Sequence, residues 1–297
     1  MFKMKKLRNY PVMLCVYLSV VIFVPALVYA ETIKDKIKSF DSLEKRLVRD
    51  GFDKKKISGI YNSKNVHFNL KSVSLFFMHN EANLNYNAFS AKKYMKRAEK
   101  YKQQHLNALN GAEKEFGVDK NIIISIILVE TKFGTNTGKS SVINTLSTMA
   151  SLSDMKARNL LWKSIPADKR LLPEKFKKKA LKKSRWAYKE LKAFIKYTSR
   201  ENIRPDTIYG SYAGAVGIAQ FMPSNILSLA IDGNNDGKVD LFNHADAIFS
   251  IANYLNHSGW HPEIDKKNAF KVIYRYNHSK YYVNTILKIA NSLKEKK

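Results

Sequence analysis

The chain is short of cysteine, of acid and of long apolar stretches, and each shortage narrows what it can be. Its single cysteine, Cys15, lies inside an N-terminal apolar run. A form that loses that run has no thiol, which excludes disulfides and cysteine chemistry. Acids are outnumbered: 25 Asp and Glu stand against 52 Lys and Arg, a formal charge of +27. Past the N-terminal run no stretch is apolar enough to span a bilayer. What remains suits a globular protein. Hydrophobic residues make up 45% of 297 positions, enough for a core in one large domain or two modest ones.

The N-terminus has the layout of a secretion signal. Lys3, Lys5, Lys6 and Arg8 precede an apolar segment at 11–27, and Val28-Tyr29-Ala30 supplies small residues at −3 and −1. Cleavage is expected after Ala30, the alternative being an uncleaved anchor. Cys15 sits mid-run, unlike a lipid-attachment cysteine. Removing the four basic signal residues from 52 leaves 48 against 25 acids. That excess attracts polyanions. Export argues against nucleic acid and for anionic polymers of the cell envelope, while a generally Lys-rich proteome would give the same count.

Two stretches carry the chemistry. The first is Asn121 to Gly138, NIIISIILVETKFGTNTG, where a run of large apolar residues ends in Glu130. A carboxyl at such an edge is expected to be partly desolvated, which raises its pKa toward that of a general acid. A core helix ending in a solvated glutamate is the plainer reading. Asp119 as cap and Gly134 past the end favour a helix over a buried strand. The second is Tyr209 to Ser224, YGSYAGAVGIAQFMPS, with three glycines, three alanines and no charge. Small residues permit close approach, and Tyr209, Ser211, Tyr212 and Gln220 offer hydrogen bonds and flat faces. The mixture suits a sugar, and equally suits tight packing around a turn.

Elsewhere the pattern is helical. Phe40, Leu43, Leu47 and Val48 share a face, with Ser39 as cap and Gly51 as stop; Asp53 to Tyr61 forms a second helix. Residues 64–84 are less regular, and VSLFF at 73–77 fits a strand or a helix turn. Ser90 is expected to cap one long helix ended by Gly117, with His105 a core or boundary histidine. Pro166 and Pro173 are expected to break a Lys-rich segment, 151–183, into short pieces. Within it KFKKKALKK (175–183) reads as a solvated face or as a contact to wall or membrane. Arg185 to Tyr197 forms an amphipathic helix, and Ala247 to Leu255 and the repeat Val283, Ile286, Ala290, Leu293 form others.

Between these helices lies DGNNDGKVD, which matches the start of an EF-hand loop. Asp232, Asn234 and Asp236 would supply oxygens, Gly237 the sharp turn and Lys238 its carbonyl. The twelfth position is Asn243 rather than glutamate, and Asn243 also fits a helix cap, with Asp246 favoured in the first turn by the helix dipole.

ETKFG followed by GSYAGAVGIAQFMPS resembles the lytic murein transglycosylases of the membrane-bound B type. The likeness extends through FDSLEKRLVRDGF, IDGNNDGKVDL, ADAIFSIANYLNHSGW and YNHSKYYVNTIL. It implies a mainly α fold, with a lysozyme-like (goose-type/transglycosylase) catalytic domain over 86–297. A small helical N-terminal part over 31–85 precedes it, 151–183 is an insertion, and the EF-hand-like loop spans 232–246. It implies Glu130 as the single acid/base. Glu130 would cut the bond between N-acetylmuramic acid and N-acetylglucosamine and leave a 1,6-anhydromuramyl end. Ser211 and Gln220 would orient Glu130 or the substrate's acetamido group. Tyr254, Tyr276 and Asn277 would line the sugar subsites, and Arg185 would meet peptide carboxylates. Asp246 would complete a structural Ca²⁺ or Na⁺ site, with no cofactor in the chemistry. The expected protein is a monomer acting on peptidoglycan strands in the periplasm, and not a lipoprotein. Its rivals are a hydrolytic muramidase on the same fold and a non-catalytic cationic wall-binding protein.

Overall fold

In the computed structural model, residues 40–79 and 86–294 are described. The signal at 1–30, the cap Ser39 and the domain boundary at 85/86 lie outside those residues or at their edge. The described residues belong to one compact unit, Ser39–Lys297.

Helix α1 (Asp41–Arg49) buries Leu43 and Leu47, with acids in its first turn and arginines in its last, as the helix dipole favours. Helix α2 (Lys54–Tyr61) is capped by Asp53, which accepts from the Lys56 amide at 2.7 Å. VSLFF resolves as helix, within α3 (Leu70–Met78), because Val73 and Phe77 sit one turn apart and both face the core. The long helix expected after Ser90 is two: α4 (Lys92–Gln104) and α5 (Leu106–Phe116). The break is at His105, whose ring lies tilted against Tyr101 at 4.3 Å and stacks on the distant His244 at 4.4 Å. Ser90 ends a 3₁₀ turn and caps nothing; Gly117, left-handed at φ 67°, stops α5 as expected.

Helix α6 (Lys120–Thr131), capped by Asp119, is the centre of the unit. Residues 121–128 are all buried, so this helix is apolar on every side and must be covered on every side. Each fully buried Ile or Leu contributes about 1.5–3 kcal/mol. A strand of two residues, β1 (Ser140–Ser141), leads into the wholly buried α7 (Val142–Ala150). Helix α8 (Met155–Ser164) follows, then α9 (Pro173–Arg200), 28 residues long. Pro173 therefore starts a helix and does not break one. It stands in the first turn, where a missing N–H costs nothing, and the basic 175–183 stretch continues without interruption into 185–197.

The chain then forms β2 (Tyr209–Gly210), α10 (Pro223–Leu229), α11 (His244–His257), α12 (Lys266–Tyr276) and α13 (Lys280–Lys294). Helices α4, α5, α11 and α13 surround α6, while α7 and α10 pack on α9. Strands β1 and β2 pair antiparallel, with Ser140 opposite Gly210. Among the described residues no helix is long and apolar enough to cross a membrane.

Candidate active site

Glu130 stands half-buried on the last turn of α6, directly after the buried run. The turn beyond it is unusually constrained. Lys132, Phe133 and Gly134 all take positive φ (52°, 65° and 78°), which is costly for the two non-glycine residues. Their surroundings hold them there. Arg97 donates to the Lys132 carbonyl at 2.8 Å, and Phe133 stacks on Tyr101 at 4.7 Å. The Thr131 hydroxyl donates to the Ile218 carbonyl at 3.1 Å and accepts from the Gly134 amide at 3.0 Å. The end of the helix is thus pinned to the glycine-rich stretch 209–221.

Facing Glu130 is a row of aromatic rings. The Tyr282 hydroxyl donates to Glu130 Oε1 at 2.8 Å. Tyr282 is 1% exposed, and burial, then the charge of Glu130, raises its pKa well above the usual tyrosine value, so it remains a donor. Tyr86 meets Tyr282 edge-on at 6.3 Å, and Tyr276 lies parallel to it at 6.5 Å. Tyr276 donates to the Ala219 carbonyl at 2.5 Å; Tyr254 packs edge-on against Tyr276 at 4.9 Å and donates to the Arg275 carbonyl at 2.8 Å. Phe221 closes the row, 5.6 Å from Tyr254 and 5.9 Å from Tyr276.

The 209–224 stretch forms the opposing wall through two isolated bridges, Gly210 with Val216 and Val216 with Phe221. A Cβ at Gly210 would run into the Ala215 carbonyl, so only glycine fits. The Ser211 hydroxyl accepts from the Ala213 and Ala215 amides at 3.3 and 3.0 Å, shaping this turn. Gln220, at φ 49°, donates to the carbonyls of Thr137 and Gly217 at 3.1 and 2.7 Å. Asn277 is half-buried and ends α12, between Tyr276 and α13.

The fold therefore gathers Glu130, Tyr276 and Tyr254 in one connected cluster and places Ser211, Gln220 and Asn277 in its flanking turns. It does not bring in Arg185, which is exposed on α9 with no contact among the described residues to that cluster. Two residues were missed, Tyr282 and Tyr86. Tyr282 heads the buried series Tyr282, Ile286, Ile289, Leu293 on α13, and a phenol there had only its polar tip to betray it. Asp206, the acid nearest the 209–224 stretch in sequence, is already committed. Arg204, Ser63 and Asn65 donate to it at 2.8, 2.7 and 3.1 Å, and these bonds, led by Arg204, lower its pKa to about 2.

The 232–246 loop closes on itself. Asp232 accepts from the Asp236 and Gly237 amides at 3.1 and 2.7 Å, and Asp236 accepts from the Lys238 amide at 2.9 Å. Asn243 caps α11 through the Ala245 amide at 2.8 Å. Asp246 is 1% exposed and reaches back to the Gly233 and Asp240 amides at 3.0 and 2.7 Å. Burial raises its pKa, and the charge of Asp232 adds to the rise. All the side-chain donors here are oxygens, the set a hard cation takes. Among the described residues no three His, Cys, Asp or Glu side chains are gathered in metal-binding positions. A cavity of about 970 Å³ lies elsewhere, between the α1–α2 turn and the C-terminal half of α9.

Comparison with known proteins gives the fold its family. The transglycosylase SLT domain family matches residues 35–267. Membrane-bound lytic murein transglycosylase B of Escherichia coli K12 is 32% identical over 157 residues, which is 53% of this chain and 36% of that protein. The soluble lytic transglycosylase SltB1 of Pseudomonas aeruginosa superposes with a TM-score of 0.69 at 24% identity, over 86% of this chain and 98% of that one. The Escherichia coli lytic transglycosylase Slt35 in complex with calcium gives 0.65 at 22% identity, over 86% and 92%. The resemblance read from the sequence and the helical lysozyme-like fold it implied are both borne out: the chain belongs to the transglycosylase SLT-domain family.

Proposed function

We propose that the chain is a peptidoglycan lytic transglycosylase with Glu130 as its single acid and base. The observation that carries this is the setting of Glu130: one half-buried carboxyl at a pinned helix end, held by the Tyr282 hydroxyl and faced by an aromatic wall. Tyrosine faces suit the apolar faces of sugar rings, and the hydrogen-bonding edges of the 209–221 stretch suit their hydroxyls. Ordinary glycosidases need a second carboxylate. Asp206 is occupied by Arg204 and held ionised, and Asp232, Asp236 and Asp246 are turned into their own loop, which supports a one-carboxylate mechanism.

In that mechanism protonated Glu130 gives its proton to the oxygen linking N-acetylmuramic acid to N-acetylglucosamine while Tyr282 steadies its other oxygen. The C1–O bond breaks, and the substrate's own acetamido oxygen bonds to C1. Glu130, now a carboxylate, takes the proton of the muramyl 6-hydroxyl. O6 attacks C1, the acetamido oxygen leaves, and a 1,6-anhydro end forms without water. Tyr254, Tyr276 and Asn277 line the sugar sites, and Ser211 and Gln220 set the opposing wall. Export through the N-terminal signal puts the mature chain in the periplasm. Asp232, Asn234, Asp236, Asp246 and the Lys238 carbonyl would hold a structural Ca²⁺ or Na⁺, which would steady the start of α11.

The test is mass spectrometry of fragments released from isolated peptidoglycan. Products lighter by one water than hydrolysed fragments, absent with Glu130→Gln, are expected. Reducing-end products would transfer the chain to the muramidases, and near-normal turnover by Glu130→Gln would remove the central residue.

A further inference from the structure

Helix α9 carries its charge in a line. Lys175, Lys178, Lys182, Arg185, Lys189 and Lys196 are all exposed, and steps of three, four and seven residues put them on one side of an α-helix. At 1.5 Å per residue the line is about 32 Å long. Among the described residues none of the six is in an ion pair. No exposed acid interrupts it from Lys175 to Lys189; beyond that, Asp50 of the α1–α2 turn pairs with the neighbouring Lys192 at 2.9 Å. Glu174 lies at the helix start beside Lys177, and Glu190 is buried on the other side, accepting from Ser224.

At the head of this line the chain turns apolar side chains outward. Leu171 and Leu172 are 38% and 68% exposed. They are not a loose end. The Trp162 indole donates to the Leu171 carbonyl at 3.0 Å, and the Arg170 guanidinium lies 5.0 Å over the Trp162 ring. Arg170 in turn donates to the carbonyls of Ile165 and Lys163, so the segment is folded back on α8 and holds the two leucines in place. Met155, on the same helix, is 63% exposed.

A row of one sign costs self-repulsion, and a fixed pair of exposed leucines costs hydration, so a plain solvated face accounts for neither. A linear acidic polymer would use the lysines and leave the leucines unexplained. An anionic bilayer uses both: cations meet phosphates, and leucines enter the boundary between headgroups and acyl chains. We propose that α9 docks this protein on an anionic membrane surface, its axis along the surface, with Leu171 and Leu172 inserted at one end. Arg185 belongs to this face, which explains its absence from the Glu130 cluster. Docking of this kind is independent of catalysis.

The test uses the mature chain, residues 31–297, which keeps the whole compact unit. It is sedimented with vesicles of phosphatidylcholine containing about a third phosphatidylglycerol and with phosphatidylcholine alone. Binding is expected to the acidic vesicles only, and to weaken with added salt. Lys178→Gln/Lys182→Gln/Lys189→Gln should lower it on the order of 100-fold, three headgroup contacts being removed. Leu171→Ser/Leu172→Ser should lower it about 10-fold with the helix intact, since serine is a good N-cap residue. Glu130→Gln should bind like the parent. The proposal is overturned if the triple-Gln protein binds acidic vesicles as the parent does. It is equally overturned if neutral vesicles bind as well, or if only binding to lipid-free sacculi falls, which would assign the row to the wall.

Discussion

Replacing Tyr282 with phenylalanine isolates one hydrogen bond at the centre of the site. The Tyr282 hydroxyl lies 2.8 Å from Glu130 Oε1, and the ring around it is packed between Tyr276 and Tyr86. Phenylalanine keeps that packing and removes the donor alone. Glu130 is half-exposed, so water partly replaces the lost partner and the fold should lose under about 1 kcal/mol. Activity is the sharper readout. A hydrogen bond to a charged group contributes about 1.5–3 kcal/mol. If it fixes the carboxyl where proton transfer occurs, turnover should drop about 10- to 100-fold. The assay is the initial rate of fragment release from peptidoglycan by the parent, Tyr282→Phe, Glu130→Gln and the double variant. Because Tyr282 acts through Glu130, the double variant should be no slower than Glu130→Gln. A Tyr282→Phe rate within about two-fold of the parent would refute the reasoning, as would losses that multiply in the double variant.

Gly217→Ala should lower the melting temperature by several degrees. Its φ is 72°, and a Cβ there would meet the Leu241 carbonyl, so strain and a clash of about 2 kcal/mol or more fall on the wall opposite Glu130. Asp206→Asn should cost about 1–2 kcal/mol near pH 7, a figure already reduced because Arg204 is largely exposed. The Asp206 pKa is lowered from 3.8 to about 2, so its contribution is present above pH 3.8 and lost as pH falls toward 2. In denaturant melts across that range the parent and Asp206→Asn should therefore converge at the acid end. Calcium should raise the melting temperature of the parent, with about 2.7 kcal/mol expected at a hundred times the dissociation constant. Asp246→Asn should abolish the increment, and an equal rise in that variant would dismiss the loop as the binding site.

How far the sequence revealed this arrangement depended on whether each determinant was local. Asp119 as cap and the apolar run through Leu128 are local, so α6 was legible. Its end was legible to within two residues, because Lys132 and Phe133 take left-handed positions ahead of Gly134. The break at His105 was not legible. The apolar rhythm runs through it, and the residue at the break stacks on His244, far along the chain. Pro173 misled for another reason: proline stops a helix only from inside it, and nothing near 173 marked it as a first-turn residue. At the site, Glu130 stood out because acid follows seven large apolar residues. Tyr282 did not, because its partner lies 152 positions away and its spacing is that of a core residue.

Mounting Glu130 at the end of a helix buried throughout 121–128 has a dynamic consequence. Segments covered on all sides exchange their amide protons only when the whole unit opens, whereas exposed turns open alone. The backbone beneath Glu130 belongs to the first kind, so its carboxyl can swing about its own bonds and little else. On the proposed reading, any movement that admits a glycan strand would fall to the facing turns at 135–138 and 209–221, which lie outside the helices.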